Sequence, residues 1–344
     1  MTFAPLGDMK REDGSSRYAY TTFLLFNLSR KYVSSALLMA YALCKQQTQA
    51  DLICMVTPEV TPDIRAALAI AYDYVVEISP VYIPHKRRHQ RPDRPFLFTR
   101  LQALRLGPDG DLGFNYDKVV ILDADILPLR HYDHMFSLDT PAGIINEKKE
   151  HFMDYDEHGR YIIPTSVQEC GKWKWHRIYE PICPHGTAIP QEITDRVKCD
   201  LTNLGIIGAL FVMETSMVEF EAILDDVKSP GISELVSDKF DLPDMQYLTM
   251  RYSGQWTSVD LRFCGLSGYP SMEVLFGTHY AGNIKPWSYH HKGLKRHSRY
   301  EDFQYWYCEF IEMMTEGWPQ LQRFQRLRKE LEQALRYQMN GVLM

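Results

Sequence analysis

Several things are missing from this 344-residue chain, and each absence narrows its class. The seven cysteines, Cys44, Cys54, Cys170, Cys183, Cys199, Cys264 and Cys308, stand singly. No two share the C-x-x-C spacing of a zinc ribbon or a thioredoxin-like pair. An odd, unpatterned set reads as reduced thiols and points to the cytoplasm. No apolar run reaches the roughly 18 residues of a membrane-spanning helix. Residues 1–16 lack the apolar core of a secretion signal, which supports the same location. An excess of basic charge is also missing: 38 Lys and Arg face 44 Asp and Glu, for a net charge of -6. That balance argues against a general nucleic-acid binder. Neither internal repeats nor low-complexity stretches occur.

What is present reads as an α/β fold. Tyr18 to Phe26 is apolar and β-prone, and Tyr32 to Leu43 has helical periodicity. Asp51 to Val56 is a second strand. Thr61-Pro62 is a good helix start, with a capping hydroxyl and a proline at the first helical position. That helix runs to about Tyr72, and Tyr74 to Ile78 is a third strand. The β-α-β-α-β order predicts a doubly wound, mostly parallel sheet with helices on both faces. Further along, Phe96 to Leu106 has a helical pattern and Ile206 to Met213 reads as a buried strand. Ser216 is placed to cap a helix, and Pro243 opens another. The sequence divides into a tail over 1–17, a main domain over 18–290 and a basic, helical extension over 291–344. An irregular insertion at about 146–201 interrupts the main domain, and it contains Trp173 and Trp175. Leu321, Phe324, Leu327, Leu331 and Leu335 form one apolar stripe, which predicts packing against the domain or a second subunit, with membrane-surface binding as the alternative given Arg323, Arg326, Arg328 and Lys329.

Two motifs carry chemistry. In Val119-Val120-Ile121-Leu122-Asp123-Ala124-Asp125, a buried strand runs straight into two carboxylates. The carboxyl end of a strand is where open α/β sheets bind ligands. Carboxylates at i and i+2 in extended chain point the same way and repel unless a cation lies beside them. A divalent ion that also carries a diphosphate fits that need. In His279-Tyr280-Ala281-Gly282-Asn283-Ile284-Lys285-Pro286-Trp287, an imidazole able to ligate metal precedes a glycine and a lysine suited to phosphate.

Together these segments resemble glycosyltransferase family 8, the glycogenin-like enzymes, over roughly Tyr18 to Trp287. The resemblance implies a GT-A fold, a UDP-sugar donor, Mn²⁺ (or Mg²⁺) and a retaining transfer to a glycan or glycoprotein acceptor, with a homodimer by analogy. It places Asp123, Asp125 and His279 on the metal, with Asp123 also on ribose. Lys285 and Arg100 fall at the diphosphate, Gly282 in the closing loop, and Asn27 and Tyr32 at uracil. Asp244 and Gln246 fall in the segment that carries catalytic groups. The chain departs from the family in two places. Ile207 stands where a polar donor contact is expected, with Asn203 a few residues earlier. Met245 stands directly before Gln246 in place of an acid, with Asp244 one place earlier. Two alternatives follow: a catalytically weak sugar-nucleotide or glycan-binding module of the same fold, and a nucleotidyltransferase. The latter would need a glycine-rich nucleotide loop, and residues 26–32 contain no glycine.

Overall fold

The computed structural model describes residues 3–25, 29–86, 91–145, 154–155, 161–162, 183–266 and 272–342. A seven-stranded sheet forms the centre. Its strands in chain order are β1 (Tyr18–Leu24), β2 (Asp51–Val56), β3 (Tyr74–Glu77), β4 (Lys118–Leu122), β6 (Ala142–Ile145), β9 (Ile206–Glu214) and β10 (Thr257–Ser258). A second sheet uses β5 (Ile126–Pro128), β11 (Gly265–Leu266) and β12 (Gly277–His279), and the short pair β7 (Asp154–Tyr155) and β8 (Tyr161–Ile162) forms a third. The principal helices are α1 (Ser29–Lys45), α2 (Pro62–Ala71), α3 (Met217–Asp226), α4 (Pro243–Arg251), α5 (Glu301–Glu312) and α6 (Gln325–Val342).

The large sheet runs β10-β6-β9-β4-β1-β2-β3. Strands β4, β1, β2 and β3 are parallel, as the opening β-α-β-α-β pattern predicts. β9 is antiparallel to both of its neighbours, β4 and β6. The strands are apolar almost throughout because both faces are covered. In β4, Val120 and Leu122 join one core with α1 and α2, while Val119 and Ile121 join the opposite core with Leu101, Phe220 and Leu248. β2 alternates in the same way, Leu52, Cys54 and Val56 on one face and Ile53 and Met55 on the other.

Several expectations change. The Arg94–Leu106 segment winds as a 3₁₀ helix. Pro95 lacks an N–H, and the following Phe96, Phe98 and Thr99 have modest α-helical preference. Thr61 makes no side-chain cap, whereas Ser216 Oγ accepts from the Glu219 N–H at 3.2 Å. Residues 3–17, within the N-terminal tail, contact the domain. Arg11 and Arg17 both pair with Asp117, and Phe3 stacks on His134. Within the expected insertion, residues 183–201 are tied to the domain: Ile189 N–H donates to Trp256 O and Gly186 N–H to Ser258 O. Trp173 and Trp175 lie outside the described residues. The C-terminal stripe packs inward, burying Leu321, Leu327 and Leu331, and leaves Leu335 exposed. The same hairpin is anchored to α1 by Tyr41 and Lys45 on Glu312, and by Lys45 on Glu309. Among the described residues no helix is long and apolar enough to cross a membrane, and the described cysteines are free thiols.

Candidate metal and nucleotide-sugar site

The site forms where the two sheets meet. β4 ends at Leu122, and the chain turns at once into β5. The Asp123 N–H donates to Ala209 O of β9, and the Ile126 N–H folds back to Asp123 O at 3.1 Å. β5 pairs antiparallel with β12, with Ile126 opposite His279. The Tyr280 N–H closes the junction by donating to Asp125 O at 3.0 Å. Pairing register alone therefore carries His279 to the carboxylates, across more than 150 residues of sequence.

Asp123, Asp125 and His279 each offer a ligand atom, and these atoms all lie within 4.8 Å of one another. Two carboxylates and an imidazole suit a hard-to-borderline divalent cation, so the donor set fits such an ion. His279 Nε2 stands 3.3 Å from Asp125 Oδ1, and Lys285 Nζ stands 2.5 Å from Asp125 Oδ2. Burial alone would raise the Asp125 carboxyl, but Lys285 and His279 hold it well below the usual carboxylate range. Burial works against the charge on Lys285, and Asp125 outweighs it, so the ammonium stays protonated. Lys285 also donates to Tyr280 O and lies 5.6 Å from the centre of the Tyr32 ring. Trp287 meets the Tyr32 ring edge-on at 5.9 Å.

Arg100 brings in the second group. Its guanidinium lies 3.2 Å from Asp123 and 3.1 Å from Asp244, and it donates to Gly208 O. It is thus a buried bridge between the strand-end carboxylate and the first turn of α4, where a carboxylate also suits the helix dipole. Burial raises the Asp244 carboxyl despite Arg100 beside it.

The structure turns one expected site residue away. Gln246 is fully buried, and its amide is saturated by the backbone. Oε1 accepts from the Asp241 and Leu242 N–H groups at 2.8 and 3.0 Å, and Nε2 donates to Leu201 O and Asn203 O at 2.8 and 3.0 Å. Two residues along a helix rotate the side chain by about 200°. Asp244 therefore meets Arg100, while Gln246 points into the scaffold and fixes the entry to α4. The side chain that packs beside Arg100 is Met245: a Cβ on Gly208 would fall 2.6 Å from Met245 Cγ and 3.2 Å from Arg100 Nη1. Gly208 carries no motif of its own, although a glycine inside an all-apolar strand signals a close approach. Asn203 Oδ1 accepts from the Gly205 N–H within its own turn. Gly282 lies in the exposed stretch 281–283 and does not take a positive φ. Asn27 lies outside the described residues.

No family model matches the chain. Among curated proteins it is 25% identical to the uncharacterized protein R707 of Acanthamoeba polyphaga mimivirus over 283 residues, 79% of this chain and 83% of that protein. It is 27% identical to galactinol synthase 10 of Arabidopsis thaliana over 46% of this chain and 45% of that protein. It is 29% identical to human glycogenin-2 over 30% of this chain and 20% of that protein. The matches thus span less than half of these two named relatives. Among solved structures, the galactosyltransferase LgtC in complex with donor and acceptor sugar analogues superposes with a TM-score of 0.52 at 13% identity, covering 88% of this chain and 99% of that one. The bifunctional glycosyltransferase WbbM aligns at a TM-score of 0.50 and 12% identity, over 98% of this chain and 53% of that one. The fold is therefore GT-A. In sequence, the chain is similar to galactinol synthase and glycogenin.

Proposed function

We propose that the chain transfers a hexose from a UDP-sugar to a glycan or glycoprotein acceptor, with retention of configuration and with Mn²⁺ as the working ion, in the cytoplasm. One observation carries this reading above the others: Asp123, Asp125 and His279 converge at a strand end, with Lys285 and Arg100 beside them. A bound divalent ion there would offset the negative charge that develops on the diphosphate as the sugar–phosphate bond breaks.

The rest follows from the chain's own groups. Asp123, the more open of the two carboxylates, can serve both ion and ribose. Lys285 is a compact, protonated point charge at the same spot, and it suits the diphosphate oxygens. Arg100 holds Asp123 and Asp244 in fixed relation, so the sheet and α4 present one preorganised wall. Tyr32 and Asn27, around the start of α1, would receive the uracil, and Gly282 belongs to the loop that borders it. Asp244 lies across Arg100 from the metal ligands, positioned to face the transferred sugar. Gln246 acts only through the backbone it holds. Met245 and Ile207 make the adjoining surface apolar, which favours a second reading: a sugar-nucleotide binder with little turnover.

The deciding experiment is UDP release from a panel of UDP-sugars, with Mn²⁺ and with chelator, in the absence of acceptor. Metal-dependent release from one sugar establishes donor and ion together. Asp125→Asn should lower that release at least about a hundredfold, since a metal ligand contributes several kcal/mol of charge stabilisation. Unchanged release in Asp125→Asn would remove the metal-site assignment. Metal-dependent UDP binding with no release across the panel would select the binding module.

A further inference from the structure

From residue 274 to residue 300 the chain contains no aspartate or glutamate, although the protein as a whole carries a net charge of -6. The same stretch contains Lys285, Lys292, Lys295, Arg296 and Arg299. Lys285 is buried in the site, whereas the other four are exposed. None of those four has a carboxylate within ion-pair distance among the described residues; the pairs recorded nearby involve other cations.

The backbone holds this cationic strip against the site. Successive turns join the two: the Ser288 N–H donates to Lys285 O, the His291 N–H to Ser288 O and the Leu294 N–H to His291 O, at 2.8 to 3.0 Å. The Lys285 N–H in turn donates to Ser288 Oγ at 3.1 Å. Leu294 is fully buried and anchors the far end. Gly293 lies so close to Ile284 that an added Cβ would fall 2.6 Å from Ile284 Cδ1. The strip is thus a continuation of the loop that carries Lys285 beyond the site, with its four remaining charges exposed to solvent. The apolar stripe of α6 buries Leu327 and Leu331 and leaves Leu335 exposed, so the region offers mainly charge rather than a greasy face.

We propose that this strip is the docking surface for an acidic acceptor, a glycan bearing carboxylate or phosphate groups, which Lys292, Lys295, Arg296 and Arg299 hold beside the donor. The proposal rests on the glycosyltransferase reading and names the acceptor class for it. Charges at a rim act mainly through steering and salt-dependent association.

The test uses the full chain and fluorescein-labelled oligogalacturonate as the acidic probe, with labelled maltoheptaose as the neutral one. Oligogalacturonate should bind and maltoheptaose should not. Raising the salt from 50 to 200 mM should weaken binding by roughly tenfold. The combined variant Lys292→Glu, Lys295→Glu, Arg296→Glu, Arg299→Glu should lose binding while keeping acceptor-free UDP release and melting temperature. The matching four-glutamine variant should bind at an intermediate level, and it serves as the readout should the glutamate variant fail to fold. Equal binding of both probes, or salt-independent binding, overturns the proposal. So does binding only to phosphatidylserine-containing vesicles, which would assign the strip to a membrane surface. Intact UDP release without oligogalacturonate binding refutes the acceptor class alone. Absent release with intact binding refutes the transferase reading alone.

Discussion

Replacing Gln246 by alanine separates a scaffold role from a catalytic one. The wild-type amide satisfies four backbone groups: the Asp241 and Leu242 N–H groups, Leu201 O and Asn203 O. Alanine leaves all four without that partner and opens a small cavity. Leaving a buried polar group unsatisfied costs about 1–3 kcal/mol. These groups are only part-buried, so water can reach some of them, and the lower end applies. About 4 kcal/mol in total is the working figure for four groups at the lower end. In a domain of this size that corresponds to a fall in melting temperature of roughly 5–10 °C. Activity per folded molecule should drop less than about tenfold, because no reacting atom is touched. Gln246→Glu should also destabilise at neutral pH, since a carboxylate would face the carbonyls of Leu201 and Asn203. Calorimetry paired with UDP release reads both quantities. A Gln246→Ala protein that melts within about a degree of the parent yet has lost activity would refute the scaffold argument and return Gln246 to the reacting centre.

Two further outcomes follow from close contacts and burial. Gly208→Ala drives a methyl against Met245 and the Arg100 guanidinium; kcat/KM should fall by about tenfold to a hundredfold through misplaced Arg100, and adding Met245→Ala should recover most of it, whereas no recovery in UDP release would show that the clash is not the cause. Burial raises the Glu330 carboxyl against the opposing pull of Ser34 and Arg326, so its contribution to stability is fully present below the unfolded value and is lost as pH rises through the folded one. Glu330→Gln should therefore melt at or above the parent at pH 7, with the advantage vanishing near pH 4; a lower melting temperature at pH 7 would show that the Arg326 pair outweighs burial.

The parts of the fold that were legible in the sequence are those whose signal is local. The strands and helices up to Glu77 follow from apolar runs and helical periodicity, and the parallel order follows from their alternation. Strand direction beyond that point is not local: Ile206–Glu214 is as apolar as a parallel strand because both its faces are covered, and only its partners make it antiparallel. β5, β11 and β12 are two or three residues long. No period can be read over so short a span, yet their pairing delivers His279 to Asp125.

The site divides along the same line. Asp123, Asp125, His279 and Lys285 were visible because each stands in a motif whose spacing has a chemical reason. The Arg100 bridge was not, because the ion pairs of Arg100 with Asp123 and with Asp244 depend on the packing of three separate elements. The α4 start shows the limit most sharply. Sequence motif reading treats Asp244 and Gln246 as companions, two places apart. A helix turns about 200° over two residues, so companions in sequence become opposites in space. Asp244 reaches Arg100, and Gln246 reaches the turn at Leu201 and Asn203. Met245, between them, packs against Gly208 beside Arg100. A thioether at that point is only a weak acceptor for a sugar hydroxyl and donates nothing. On the proposed function, discrimination among donors then rests on shape and on Asp244, and the panel of UDP-sugars should show a graded preference rather than the steep rejection that a buried hydrogen bond imposes.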